Sequence, residues 1–193
     1  ARAYGAEVPF LRPEEHARDD SPHIPVLQHA VGWLEENENF FPGIIVLLQP
    51  TSPLRRARDI DAAVNLLRDK NADSVAAVCP AKSHPAVLKR MDGQGLLSDY
   101  MPPPVEYLRR QNLETVYAPN GAVYAVTRDV LMDQDTLYTD TSLGYVMAPE
   151  RSLDIDSAWD LRVVESVLAQ ADQPDSGTAP RTVDLAGRRV GPG

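Results

Sequence analysis

The sequence predicts a three-layer α/β domain with a mixed sheet, and three observations predict it. Residues 43–48 and 74–79 are short, unbroken runs of apolar and small side chains, as in strands buried on both faces. Between them Ile60, Ala63, Val64 and Leu67 recur at i, i+3, i+4 and i+7, the stripe of an amphipathic helix. Of the 193 residues 43% are hydrophobic and 24% charged, the balance of a chain able to bury a core.

The elements follow in order. Val26, Leu27, Ala30, Val31 and Leu34 mark a helix whose early prolines, Pro22 and Pro25, sit at or before its first turn. Residues 43–48, bounded by Pro42 and Pro50, read as a central parallel strand. With the helix around 60–67 and the strand 74–79 they make a strand-helix-strand unit of the length of a right-handed crossover. Residues 87–91, the turn Asp92-Gly-Gln-Gly95 and Leu96-Leu97 suggest a small hairpin. Residues 121–127 and 145–148 read as further strands, and Leu161, Val164, Val167 and Leu168 mark a last helix after Asp156. Between 99 and 120 a proline-rich stretch is too long for a structureless connection in a compact domain, so it is expected to be functional or an interface. The final 23 residues hold seven Gly or Pro and balance three Asp against three Arg, so a domain is drawn over 1–170, with 171–193 as a linker or the start of a following domain.

Charge and cysteine content narrow the function. Nineteen basic against 28 acidic residues leave a net charge of −9, which gives nucleic acid or an anionic membrane surface no electrostatic hold. The single cysteine, Cys79, cannot form an internal disulfide. No stretch approaches the roughly 18 apolar residues of a membrane span. The reading is a soluble cytoplasmic protein with neither nucleic acid nor membrane as partner. The four histidines have no metal-ligand spacing, and no Walker motif, dinucleotide fingerprint or nucleophile elbow occurs.

Two segments stand out chemically. In an open α/β sheet ligands lie outside the carboxyl ends of strands, where Gln49-Pro-Thr-Ser-Pro-Leu-Arg55 leaves the strand 43–48. There Gln49 offers an amide, Thr51 and Ser52 hydroxyls and Arg55 a cationic fork, with Pro50 and Pro53 stiffening the loop; the set suits a polyhydroxylated or anionic ligand. The same residues would also serve as a plain connector capping the next helix. In Leu153-Asp-Ile-Asp-Ser157 an extended backbone puts Asp154 and Asp156 on one side, where two carboxylates can hold Mg²⁺ against substrate phosphates. Alternatively Asp156 is only the N-cap of the last helix. Asn120-Gly121 reads first as a turn, with Asn120 and Tyr124 as candidates to face a ligand. Arg109, Arg110 and Gln111 suit an anion, although adjacent arginines more often form a solvated face.

Five strings together resemble the acylneuraminate cytidylyltransferase family. They are Tyr4-Gly-Ala-Glu-Val-Pro-Phe-Leu-Arg-Pro13, Val46-Leu-Leu-Gln-Pro-Thr-Ser-Pro-Leu-Arg55, Arg109-Arg-Gln-Asn112, Pro119-Asn-Gly-Ala-Val-Tyr124 and Pro149-Glu-Arg-Ser-Leu-Asp-Ile-Asp156. The resemblance implies a Rossmann-like, GT-A-like nucleotidyltransferase fold. It also implies transfer of CMP from CTP to a sialic-acid-like nine-carbon sugar acid, whose anomeric hydroxyl attacks the α-phosphate and releases pyrophosphate with Mg²⁺. It implies Asp154 and Asp156 as the metal and catalytic carboxylates, and Gln49 and Tyr124 facing the sugar acid. The stretch 99–120 is implied as a dimerisation excursion that places Arg110 in the partner's site of a homodimer. Family members open with a strand and a glycine- and basic-rich loop around the CTP phosphates; the first βα unit is expected to be missing here, and the chain alone not to turn over CTP. Val183-Asp-Leu-Ala-Gly-Arg-Arg-Val-Gly-Pro-Gly193 resembles the opening of a sialic acid synthase, which implies a fusion. Two rival readings remain at this stage: a non-catalytic remnant serving as a dimerisation or interaction module, and a GT-A-like glycosyltransferase, in which an Asp-x-Asp pair also holds Mg²⁺.

Overall fold

Residues 1–18, 21–101 and 113–171 are described in a computed structural model. They fall into two units, residues 1–155 and a second from Asp156 onward. Helix α1 (His23–Glu38) takes Pro22 as its N-cap and Pro25 in its first turn, where a missing N–H costs nothing, and it ends at left-handed Asn39. Strand β1 (Ile44–Leu47) leads through a loop to α2 (Ala57–Lys70), which ends at left-handed Asn71. Then come β2 (Ser74–Pro80), the hairpin β3 (Lys89–Met91) and β4 (Leu97–Asp99), the long β5 (Tyr117–Thr127), short α3 (Arg128–Asp133) and β6 (Leu143–Val146). The second unit holds α4 (Ala158–Ala171).

The main sheet among the described residues has the order β1-β5-β2-β6. Strand β5 is antiparallel to both β1 and β2, while β2 and β6 are parallel, so β1, β2 and β6 share one direction. Alternate side chains of the sheet serve opposite faces. Val75, Ala77, Val123 and Ala125 pack with Ala63 and Leu67 of α2. Val126 packs on the other side with Val31 of α1 and Val130 and Leu131 of α3. Each fully buried Val or Leu of this set contributes roughly 1.5–3 kcal/mol. A bidentate pair joins the helices of that second face, with Arg128 Nε and Nη2 donating to Glu35 Oε1 and Oε2 at 2.5 and 3.0 Å. The Arg128 hydrogen bonds hold the Glu35 carboxyl below its ordinary pKa. Gln28 Nε2 adds a bond to Leu131 O at 2.9 Å.

Three expectations are corrected. The run 43–48 is a strand but not a central parallel one: β1 lies at an edge of the described sheet and pairs antiparallel with β5. The eleven-residue β5 is buried at Ala122, Val123, Ala125 and Val126 and takes the place between β1 and β2. Asn120-Gly121 is not a hairpin turn but lies inside β5, where the register against β2 slips between Ala76 and Val78. The strand expected over 145–148 begins two residues earlier, at Leu143. The hairpin, both long helices and the last helix occur where expected. Most of the proline-rich stretch and nearly all of the tail, including residues 102–112 and 172–193, lie outside the described residues. Among the described residues no helix is long and apolar enough to cross a membrane.

Candidate functional site

Strand β1 delivers residues 48–56 at its carboxyl end, and this loop is sewn to β5 by backbone and side chain. Gln49 N donates to Gly121 O at 3.3 Å, and Ser52 N closes a turn onto Gln49 O at 3.3 Å. Arg55 Nη1 donates to the carbonyls of Gln49 (2.8 Å), Ser52 (2.8 Å) and Ala122 (3.2 Å). Burial in this nest of carbonyls lowers the Arg55 pKa, and the group stays a cation whose Nη1 supports the loop.

The bulge in β5 lets the loop dock. Gly121 has φ +71°, and a Cβ there would lie 2.3 Å from Gln49 Oε1 and 2.5 Å from Ser52 Oγ. Glycine therefore meets two demands, a left-handed backbone and room for two polar side chains. The Gln49 amide nitrogen lies 3.1 Å from His23 Nε2, at the first residue of α1. Buried Ser52 donates to Asn120 O at 2.9 Å, with Asp154 Oδ1 at 3.4 Å. Asn120 Oδ1 accepts from Ala122 N at 3.1 Å, and its Nδ2 reaches Ser152 Oγ at 2.9 Å and Met147 Sδ at 3.4 Å. Ile155 N donates to Thr51 O at 2.9 Å, which pins the extended segment carrying Asp154 along the loop.

Of the residues singled out in the sequence, Gln49, Ser52, Asn120 and Asp154 come together in one hydrogen-bonded group around Gly121. Arg55 lies behind the loop, and Thr51 contributes its carbonyl while exposed to solvent. Tyr124 lies opposite Leu47 in β5 and meets Tyr138 edge to face, centroids 6.2 Å apart. Burial, then the neighbouring Tyr124, pushes the Tyr138 phenol up to about 12. Asp156 begins the second unit and is exposed. The N-cap of α4 falls to Ser157, whose Oγ accepts from Asp160 N at 3.3 Å. Arg110 lies outside the described residues. His23, Gly121 and Ser152 have parts that sequence reasoning did not assign; Ser152 sat inside a quoted string, and nothing in the sequence marked His23. Two cavities lie away from this group, one beside Phe10, Arg12, His16 and His29, another beside Lys82, His84 and Glu114.

A buried cluster supports the site from behind. Asp59 of α2 is fully buried; its carboxylate accepts from Arg56 N at 2.8 Å, Tyr145 Oη at 3.0 Å and, in an ion pair, Arg151 Nη1. Burial pushes the Asp59 carboxyl up, but the bonds from Arg151, Arg56 and Tyr145 outweigh it and hold the pKa below its ordinary value.

Asp154 and Asp156 offer hard carboxylate oxygens, and among the described residues no ion pair claims either. No three acidic, imidazole or thiol side chains among the described residues converge as a self-sufficient metal cage. A carboxylate of this kind fits Mg²⁺, which keeps waters and takes its remaining oxygens from phosphate.

Set beside known proteins, the chain is 29% identical over 150 residues to the N-acylneuraminate cytidylyltransferase of Streptococcus agalactiae serotype V, a match covering 78% of this chain and 35% of that protein. It is 30% identical over 168 residues to the N-acylneuraminate cytidylyltransferase of Escherichia coli O18:K1:H7, covering 86% and 38%. To the CMP-N,N'-diacetyllegionaminic acid synthase of Legionella pneumophila it is 29% identical over 167 residues, covering 86% and 70%. The chain thus spans little more than a third of the length of the first two relatives. No family model matches it. Among solved structures, that of CMP:2-keto-3-deoxy-manno-octonic acid synthetase complexed with CTP has a TM-score of 0.50 at 17% identity, covering 79% of this chain and 70% of that one, and shares the α/β fold with a mixed sheet.

Proposed function

For a chain that is a distant homologue of the acylneuraminate cytidylyltransferases, we propose a cytidylyltransferase function: transfer of CMP from CTP to a sialic-acid-like nine-carbon sugar acid, with release of pyrophosphate. The observation that carries the reading is the docking of the Gln49–Arg55 loop into the Gly121 bulge, with Asp154 brought beside Ser52. Gln49 and Tyr124 face the sugar acid in this reading. Asn120 and Ser52 spend their polar atoms on each other and on Ala122 and Ser152, so they fix the loop's shape for the ligand. Asp154 and Asp156 would hold Mg²⁺, which when bound offsets phosphate charge. Ordered, oxygen-rich positioning of this kind is what nucleotidyl transfer demands of a protein, because alignment and charge stabilisation supply most of the rate.

The further parts of the proposal are a domain over 1–170 followed by a linker or next domain, a homodimer built through the 99–120 stretch with Arg110 reaching the partner's site, and fusion to a sialic acid synthase. A legionaminic-type acid is the second reading for the substrate, favoured by the Legionella pneumophila relative, of which the chain covers twice the share that it does of the Streptococcus agalactiae protein.

The experiment is to incubate the full product of the gene with CTP, Mg²⁺ and either N-acetylneuraminic or N,N'-diacetyllegionaminic acid, following pyrophosphate and the CMP-sugar. One of the two acids is expected to support release, with UTP at least about tenfold poorer, the discrimination that roughly 1.4 kcal/mol of base contact gives. Absence of a CMP-sugar with either acid would refute the proposal.

A further inference from the structure

We propose that His23 is a positioning residue for Gln49, and that the pair makes Gln49 present a single amide N–H to its ligand. The inference rests on the reading above, in which Gln49 faces the sugar acid. Gln49 Oε1 lodges in the notch that Gly121 leaves free, where even a methyl group would be 2.3 Å away. On the other side its Nε2 is 3.1 Å from the Nε2 of His23. An amide nitrogen only donates, so this contact uses the imidazole lone pair and requires the neutral ring protonated at Nδ1. A primary amide has two N–H groups, of which His23 takes one. With the carbonyl lodged at Gly121, the remaining N–H is what the loop offers. It selects an acceptor oxygen, such as the carboxylate or carbonyl of a bound acid, and disfavours a group that can only donate.

Without His23 the amide is held from one side only. Rotation about its last torsion, which is broad and roughly two-fold, then exchanges carbonyl and N–H. His23 is exposed at the first turn of α1, whose packing uses Val31 and its partly buried neighbours Ile24 and Leu27, so replacing it leaves the helix its core contacts.

The test has two arms on the full product of the gene. In the first, ring nitrogen shifts of His23 are read by NMR at pH 7.5 without ligand; an unprotonated Nε2 is expected, and a protonated Nε2 overturns the proposal. In the second, calorimetry gives the dissociation constant for N-acetylneuraminic acid in the presence of CTP and Mg²⁺. His23→Ala should weaken acid binding about fivefold to tenfold, the size of one hydrogen bond's loss, and leave CTP binding unchanged. His23→Gln, which again supplies an acceptor, should recover most of the loss. In the double-mutant cycle His23→Ala should add nothing once Gln49→Ala is present, whereas additive losses overturn the proposal. If Gln49→Ala leaves acid binding intact, or the full product binds no acid, it is the placement of the sugar acid at Gln49 that fails, and the first arm still decides the His23 contact.

Discussion

At Gly121 the backbone stands at φ +71° in the middle of a strand, and a methyl group would meet Gln49 Oε1 at 2.3 Å and Ser52 Oγ at 2.5 Å. Gly121→Ala is expected to cost more than about 1 kcal/mol in denaturant unfolding, since strain and displacement of the loop add to each other. It should also lower sugar-acid affinity; an unchanged unfolding midpoint and affinity would show that the loop docks without the notch. Asp59 carries a second prediction. Its folded-state pKa is depressed, so its stabilisation is fully present above the unfolded-state value and fades as pH falls through the folded-state one. Removing the carboxylate with Asp59→Ala leaves Arg151 without its partner and should cost about 3–5 kcal/mol near pH 7. The gap to wild type should narrow below about pH 4, and a gap that stays constant to pH 2 would contradict the ion-pair account. At this scale the sequence made Gln49, Ser52 and Asp154 legible because their chemistry is local to their strings. Asn120-Gly121 was misread because the same dipeptide serves a tight turn and a left-handed bulge, and only the neighbouring strand decides between them. His23 carried no signal, since its partner is 26 residues away.

Strands β1 and β2 and helix α2 were legible because each concentrates a periodic or unbroken apolar pattern in a few residues. Their order was not, because an apolar run reports burial and not which strand lies alongside. Strand β5 pairs with β1 and β2 from 37 or more positions further along the chain, and no local pattern encodes that insertion. Helix α3 escaped notice because six residues are too few to display a helical period. It nonetheless buries Leu131 completely and Val130 nearly so against α1 and β5. Leu131→Ala is therefore expected to cost about 3 kcal/mol or more in chemical unfolding. A loss below about 1 kcal/mol would mean that α3 is peripheral and that the second face of the sheet is held mainly by α1.

Across the whole molecule, a three-stranded parallel set interrupted by one antiparallel strand puts the carboxyl end of β1 against the bulge of β5, and the extended segment after β6 returns along it to bring Asp154 to the loop. That arrangement is why residues from three separate parts of the sequence, Ser52, Asn120 and the neighbours Ser152 and Asp154, meet. The sequence showed each part but not their meeting, because Ser52 and Asp154 are separated by 102 positions. The central claim is that this meeting makes a metal-assisted site for transfer of CMP to a sugar acid. It is tested most directly by measuring pyrophosphate release from CTP and the accepted acid across a Mg²⁺ titration, in the full gene product and in its Asp154→Asn variant. Removal of one hard anionic oxygen ligand should raise the Mg²⁺ concentration for half-maximal release about tenfold or more, with saturating metal recovering part of the rate. Superimposable Mg²⁺ curves for the two proteins would contradict the account.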